Sequence, residues 1–188
     1  MAGETLLRFL DVVSDHIRNL KNHLSMDEVN EMIEVIDQSH AIFVIGAGRS
    51  GYIAKAFAMR LMHLGYSVYV VGEAVTPKIT CEDSLIAISG SGETTSVVNI
   101  SKKAKDIGSK LIAITGNKNS SLAKMSDVVV LIKGKMKGER NEVLSQLAPL
   151  GTMFELTAMI FLDALIAEMM MRKRLTEKDL EARHAVLE

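Results

Sequence analysis

Ser89, Ser91 and Thr94 alternate with Gly90 and Gly92 in the segment SGSGET, directly after the apolar run Leu85–Ile88. Hydroxyls and unhindered backbone N–H groups at the start of a helix are donors that hold an anion such as phosphate. A second loop, Gly46-Ala47-Gly48-Arg49-Ser50-Gly51, closes the apolar run Ile42–Ile45. Both read as strand, tight loop, helix start. A serine or threonine there is often only a cap, but two serines and a threonine interleaved with two glycines exceed what a cap needs. The chemistry implied is the binding of a phosphate carried on a small molecule. Gly48, Arg49, Ser50, Ser89, Gly90, Ser91, Gly92 and Thr94 are the candidate contacts, with Arg49 reaching a phosphate or sugar oxygen.

Short β-branched runs alternating with helical stretches must position these loops. Strands are predicted at 41–46, 67–72, 84–89, 110–115 and 127–132, with helices at roughly 50–64, 94–107 and 120–125. Such alternation makes βαβ units and a parallel sheet covered on both faces. For strand order 2-1-3-4-5, the ligand crevice lies between strands 1 and 3, and those are the strands that the two loops follow. The fold class expected is a three-layer αβα sandwich with a five-stranded parallel sheet. Residues 1–38 read as a helical N-terminal arm of two helices broken near Ser25, 40–132 as the core and 150–188 as C-terminal helices. The polar stretch 133–149 reads as a loop. The helix at 151–173 carries apolar residues on nearly all faces, which calls for burial in a subunit interface. A break near Thr176 and a short helix to about His184 complete the chain.

The 188 residues suit one domain; 48% are hydrophobic and 24% charged, as in ordinary globular proteins. A net charge of −1 and the lack of tryptophan leave no basic footprint for nucleic acid. Cys81 is alone, which excludes an intrachain disulfide and fits a reducing, cytoplasmic setting. Glu4, Arg8, Asp11 and Asp15 interrupt any signal-peptide core, and Glu155, Asp163 and Glu168 break the most membrane-like stretch. His16, His23 and His40 lack ligand-like spacing, and His63 at an apolar helix end reads as packed, so no metal site or cofactor is expected. One competing reading remains. GAGRSG also satisfies G-x-G-x-x-G, and Glu73 stands where a dinucleotide-binding fold places its ribose carboxylate.

Together GAGRSGYIAKAFAMRLMHLGY, VGEAVTP, ISGSGETTSV, APLGTMFE and the terminal RHAVLE resemble the 6-phospho-3-hexuloisomerases of the sugar isomerase (SIS) domain superfamily. The likeness runs from about residue 40 to the C-terminus. Val186 stands where the family's tail has asparagine. The resemblance implies a metal-free, tetrameric cytoplasmic enzyme of the ribulose monophosphate pathway, interconverting D-arabino-3-hexulose 6-phosphate and D-fructose 6-phosphate. It implies Glu155 as the catalytic carboxylate; from spacing alone, Thr152 to Glu155 reads first as a capping box. It implies His184 as a second catalytic group, often delivered to a neighbouring subunit; from sequence alone, His184 is an exposed tail histidine. The same resemblance places Thr76-Pro77 near the crevice. A non-catalytic phosphosugar sensor using the same crevice is the alternative function.

Overall fold

A computed structural model describes residues 3–134, 147–148 and 150–186, so most of the predicted 133–149 loop lies outside the described residues. Along the chain run α1 (Glu4–Leu20), α2 (Met26–Gln38), β1 (Ile42–Gly46), α3 (Arg49–His63), β2 (Val68–Val70) and β3 (Ser84–Ser89). Then follow α4 (Thr95–Ile107), β4 (Lys110–Thr115), α5 (Ser121–Met125), β5 (Val128–Leu131), α6 (Thr152–Lys173) and α7 (Glu177–Glu181). The five strands form one parallel sheet in the order β2-β1-β3-β4-β5, as the sequence predicts.

Side chains alternate across this sheet and so define two cores. Ile42, Val44, Ile86, Ile88, Ile112 and Ile114 pack toward α2, α3 and α6. Phe43, Leu85, Ala87, Leu111 and Ala113 pack toward α4 and α5. Ile86, Ile88, Ile112 and Ile114 are fully shielded from solvent. Each such side chain contributes about 1.5–3 kcal/mol, and slipping one strand by a residue would invert the whole set. Register at the sheet centre is therefore firmly held.

Three details differ from the sequence expectation. β2 is three residues long rather than 67–72, because the loop after it takes the ladder acceptor: Thr76 Oγ1 donates to the Val70 carbonyl at 2.5 Å. α2 is part of the core, not of an arm, since Val29, Met32, Ile33 and Ile36 are buried against the sheet. Only α1 lies apart, with Phe9, Val12 and Val13 packed on Ala148 and Met153 while Leu6, Leu7 and Leu10 stay exposed. α6 is buried along most of its faces and carries an exposed, mixed stripe of Ile160, Asp163, Ala164, Ala167, Glu168 and Met171. α7 stops at Glu181, short of His184, and starts with a capping box between Thr176 and Asp179.

Candidate active site

Because β1 and β3 are neighbours, with Gly46 opposite Ile88, both loops leave the sheet at the same edge. α3 starts from Gly48 (φ 57°, ψ −130°), which has no side chain to cap it, and α4 from Thr94, whose side chain does not bond its helix. The hydroxyls instead build the loop. Ser89 Oγ accepts from the Gly92 N–H at 3.1 Å and lies 3.1 Å from Thr94 Oγ1; Ser91 Oγ accepts from the Glu93 N–H at 3.2 Å. Each of these hydroxyls keeps hydrogen-bonding capacity for a ligand. Gly92 is required on two counts: its φ is +66°, and a Cβ there would sit 2.1 Å from Ser120 Oγ. Glu93 locks the loop from outside by accepting from the Ser121 N–H at 2.8 Å, and hydrogen bonding from the Ser121 side chain, then from that N–H, holds its carboxyl below the ordinary range.

Above the strand ends lies a cleft of ≈ 460 Å³. Ala47 and Ser50 line it from the first loop, and Ser89, Gly90, Ser91 and Thr94 from the second. Ile88, Met153 and Phe154 give it an apolar floor, and Glu155 stands at its wall. Three helix N-termini meet here: those of α3, α4 and α6. Their unpaired N–H groups and dipoles favour negative charge. No lysine or arginine among the described lining residues supplies a formal positive charge. The site is thus fitted to an anion held by neutral donors, beside one carboxylate.

Glu155 does not close a capping box. α6 begins from Gly151 without a side-chain cap bond, and the Glu155 carboxylate turns instead to accept from Arg49 Nε. Its side chain is 13% exposed against 61% for Arg49. The pair overlooks a smaller hollow of ≈ 280 Å³, lined by Tyr52, Ile53, Leu156 and Met159, which shares Glu155 with the cleft. Of the residues singled out in the sequence, the structure brings together Ser50, Ser89, Gly90, Ser91, Thr94 and Glu155. Arg49 joins them through Glu155, while Gly48 and Gly92 shape the loops from behind without lining the cleft.

His184 does not enter the cleft of its own chain. Its ring stacks on His63, with centroids 5.2 Å apart and planes at 24°. His63 closes α3 and Arg49 opens it. At 1.5 Å rise per residue the helix separates them by roughly 20 Å. The Thr76-Pro77 expectation is also corrected: these residues line a separate apolar hollow with Phe43, Ile79 and Ile100. Glu73, the carboxylate on which the dinucleotide reading rests, is occupied by Lys55 at 2.6 Å. Sequence reasoning missed Gly116, Gly134, Met153 and Phe154, which also line the cleft. Gly116 follows β4 as the serine loop follows β3, so the strand-end rule could have found it; Met153 and Phe154 look like any core residues. Among the described residues no cluster of three or more potential ligands is placed to hold a metal, and no helix is long and apolar enough to cross a membrane.

The pattern of the SIS domain matches residues 35–167, a span that includes both loops and Glu155. The chain belongs to the SIS domain family. Among its SIS relatives, an uncharacterized protein of Archaeoglobus fulgidus is 78% identical, over 97% of this chain and 100% of that one. A Methanocaldococcus jannaschii protein named 3-hexulose-6-phosphate isomerase is 43% identical, over 96% of this chain and 98% of its own. A crystal structure from Methanococcus jannaschii, for which a 3-hexulose-6-phosphate isomerase function has been inferred, superposes with a TM-score of 0.85. Its identity to this chain is 42%, with 95% of this SIS chain and 98% of that one covered.

Proposed function

We propose that the protein isomerises D-arabino-3-hexulose 6-phosphate to D-fructose 6-phosphate, with Glu155 as the proton-transferring group. The observation that carries this reading is the shared cleft, in which a neutral, hydroxyl-rich anion loop and a largely shielded carboxylate face one ligand-sized space. The kinship with relatives named for this activity supports it. Ser89, Ser91 and Thr94, with the N–H groups of α4, hold the phosphate and so fix the distance to the reacting carbons. Glu155 removes the proton from C2. The electron pair forms the C2–C3 double bond of a cis-enediol as the C3 carbonyl oxygen takes a proton. Return of a proton to C3 and loss of the O2 proton leave the carbonyl at C2. The N-termini of α3 and α6 stabilise the negative charge that develops on the oxygens.

In this reading the enzyme is a cytoplasmic homotetramer, and His184 acts in a neighbouring subunit's cleft. The decisive experiment is solvent deuterium incorporation into fructose 6-phosphate. The native protein is expected to exchange the label and Glu155→Gln to fail; full exchange in the variant removes Glu155 from the role. Mixing Glu155→Gln with His184→Ala subunits tests the tail. Recovered activity supports a shared site, none assigns His184 to its own chain, and full activity of His184→Ala alone denies it a catalytic role.

A further inference from the structure

Among the described residues, Arg49 is the cation at the cleft's edge, and its placement runs against simple electrostatics. It is the first residue of α3, where the helix dipole disfavours positive charge. A cation kept there needs a compensating partner. The structure supplies Glu155, itself in the first turn of α6, where a negative charge is favoured. Arg49 Nε donates to one carboxylate oxygen of Glu155, and the Glu155 side chain also lines the cleft. Tyr52, Ile53, Leu156 and Met159 line the hollow that the pair overlooks. Arg49 is absent from the lining of the anion cleft, whose described donors are all neutral.

We infer that Arg49 is a positioning residue for Glu155, and not a ligand of the phosphate. Resting on the proposed isomerase reading, this divides the labour at the site. The serine loop sets where the phosphate lies, and the guanidinium sets where the carboxylate points. A fixed carboxylate is what proton abstraction from carbon needs, since small misplacements of a reacting group slow the chemical step steeply.

Steady-state kinetics of Arg49→Gln and Arg49→Lys, with inorganic phosphate as competitive inhibitor, test the division. Arg49→Gln is expected to lower kcat about ten- to a hundredfold while KM and phosphate inhibition stay within about twofold. Arg49→Lys should recover part of kcat, because a lysine keeps the charge but not the Nε geometry. A rise in KM and weaker phosphate inhibition at unchanged kcat would instead make Arg49 a substrate ligand and overturn the inference. A crystal structure of Arg49→Gln gives a readout free of turnover: the Glu155 carboxylate should adopt a different orientation, and an unmoved carboxylate would refute the role. The two readings fail separately. Full deuterium exchange by Glu155→Gln defeats the isomerase assignment of Glu155, whereas an inactive Glu155→Gln beside an Arg49→Gln of native kcat defeats only the positioning role.

Discussion

The imidazoles of His63 and His184 stack at 5.2 Å, fastening the C-terminal tail to the end of α3 opposite the cleft. Arg183 strengthens the same contact by donating to the His63 carbonyl at 3.1 Å. Burial, then the neighbouring His184 and Arg60, push the His63 imidazole below its ordinary value of 6.5. The folded chain thus resists protonation that the unfolded chain accepts.

Stability from His63 is therefore complete above about pH 6.5 and declines as pH falls through the depressed value, since the unfolded state then binds more protons. Thermal melts from pH 7.5 to pH 5 should show this decline in the native protein and a shallower one in His63→Gln. Equal slopes would remove His63 as the acid-sensitive group.

Asp83 joins the approach to β3 with the start of β1. Its carboxylate accepts from the Ala41 N–H at 3.0 Å, the Thr80 N–H at 2.6 Å and Thr80 Oγ1 at 2.7 Å. Burial raises its pKa, but these bonds, with that from His40, outweigh burial and hold it below 3.8. Asp83→Asn should lower unfolding free energy by about 2–3 kcal/mol at neutral pH, read by urea denaturation. This advantage is present above 3.8 and disappears as pH falls through the depressed value, so the native and variant curves should converge in acid.

Ser91 and Ser89 differ in what else they hold. Ser91 is exposed and, among the described residues, its hydroxyl accepts from the nearby Glu93 N–H alone, while Ser89 is 3% exposed and ties Gly92 and Thr94 together. Ser91→Ala should weaken phosphosugar binding by about 1–3 kcal/mol with little change in melting temperature. Ser89→Ala should reduce both. Calorimetric titration with fructose 6-phosphate, alongside thermal melts, separates them.

Gly92→Ala should destabilise the fold by about 1–3 kcal/mol, through a strained positive φ and a clash with Ser120. It should also weaken phosphosugar binding, because the displaced N–H is the one that Ser89 Oγ accepts from. A variant with native stability and affinity would show that the loop tolerates another backbone shape.

The strands, the two loops and most element boundaries could be read from the sequence because they rest on local patterns, and the sheet order followed from the rule for open parallel sheets. Apolar runs such as Leu85–Ile88 end where the glycines begin, and the strand becomes a loop there. The fate of Glu155 could not be read so. Its partner Arg49 lies 106 residues away, and the local pattern Thr152 to Glu155 offered a capping box that the folded chain does not use. His184 shows the same limit, since only packing of α7 brings it to His63. The apolar surround of α6 was legible, but not which stripe remains outside.

The pairing of Gly46 with Ile88 also sets a tolerance on how this chain can vary. One residue inserted into β1 would advance its turn by about 3.3 Å relative to its neighbour, enough to carry Ser50 beyond hydrogen-bonding reach of any ligand seated on Ser89. Length changes should therefore be confined to the helix-to-strand connections at the opposite rim, such as the one between Ile107 and Lys110, where no such alignment has to be kept.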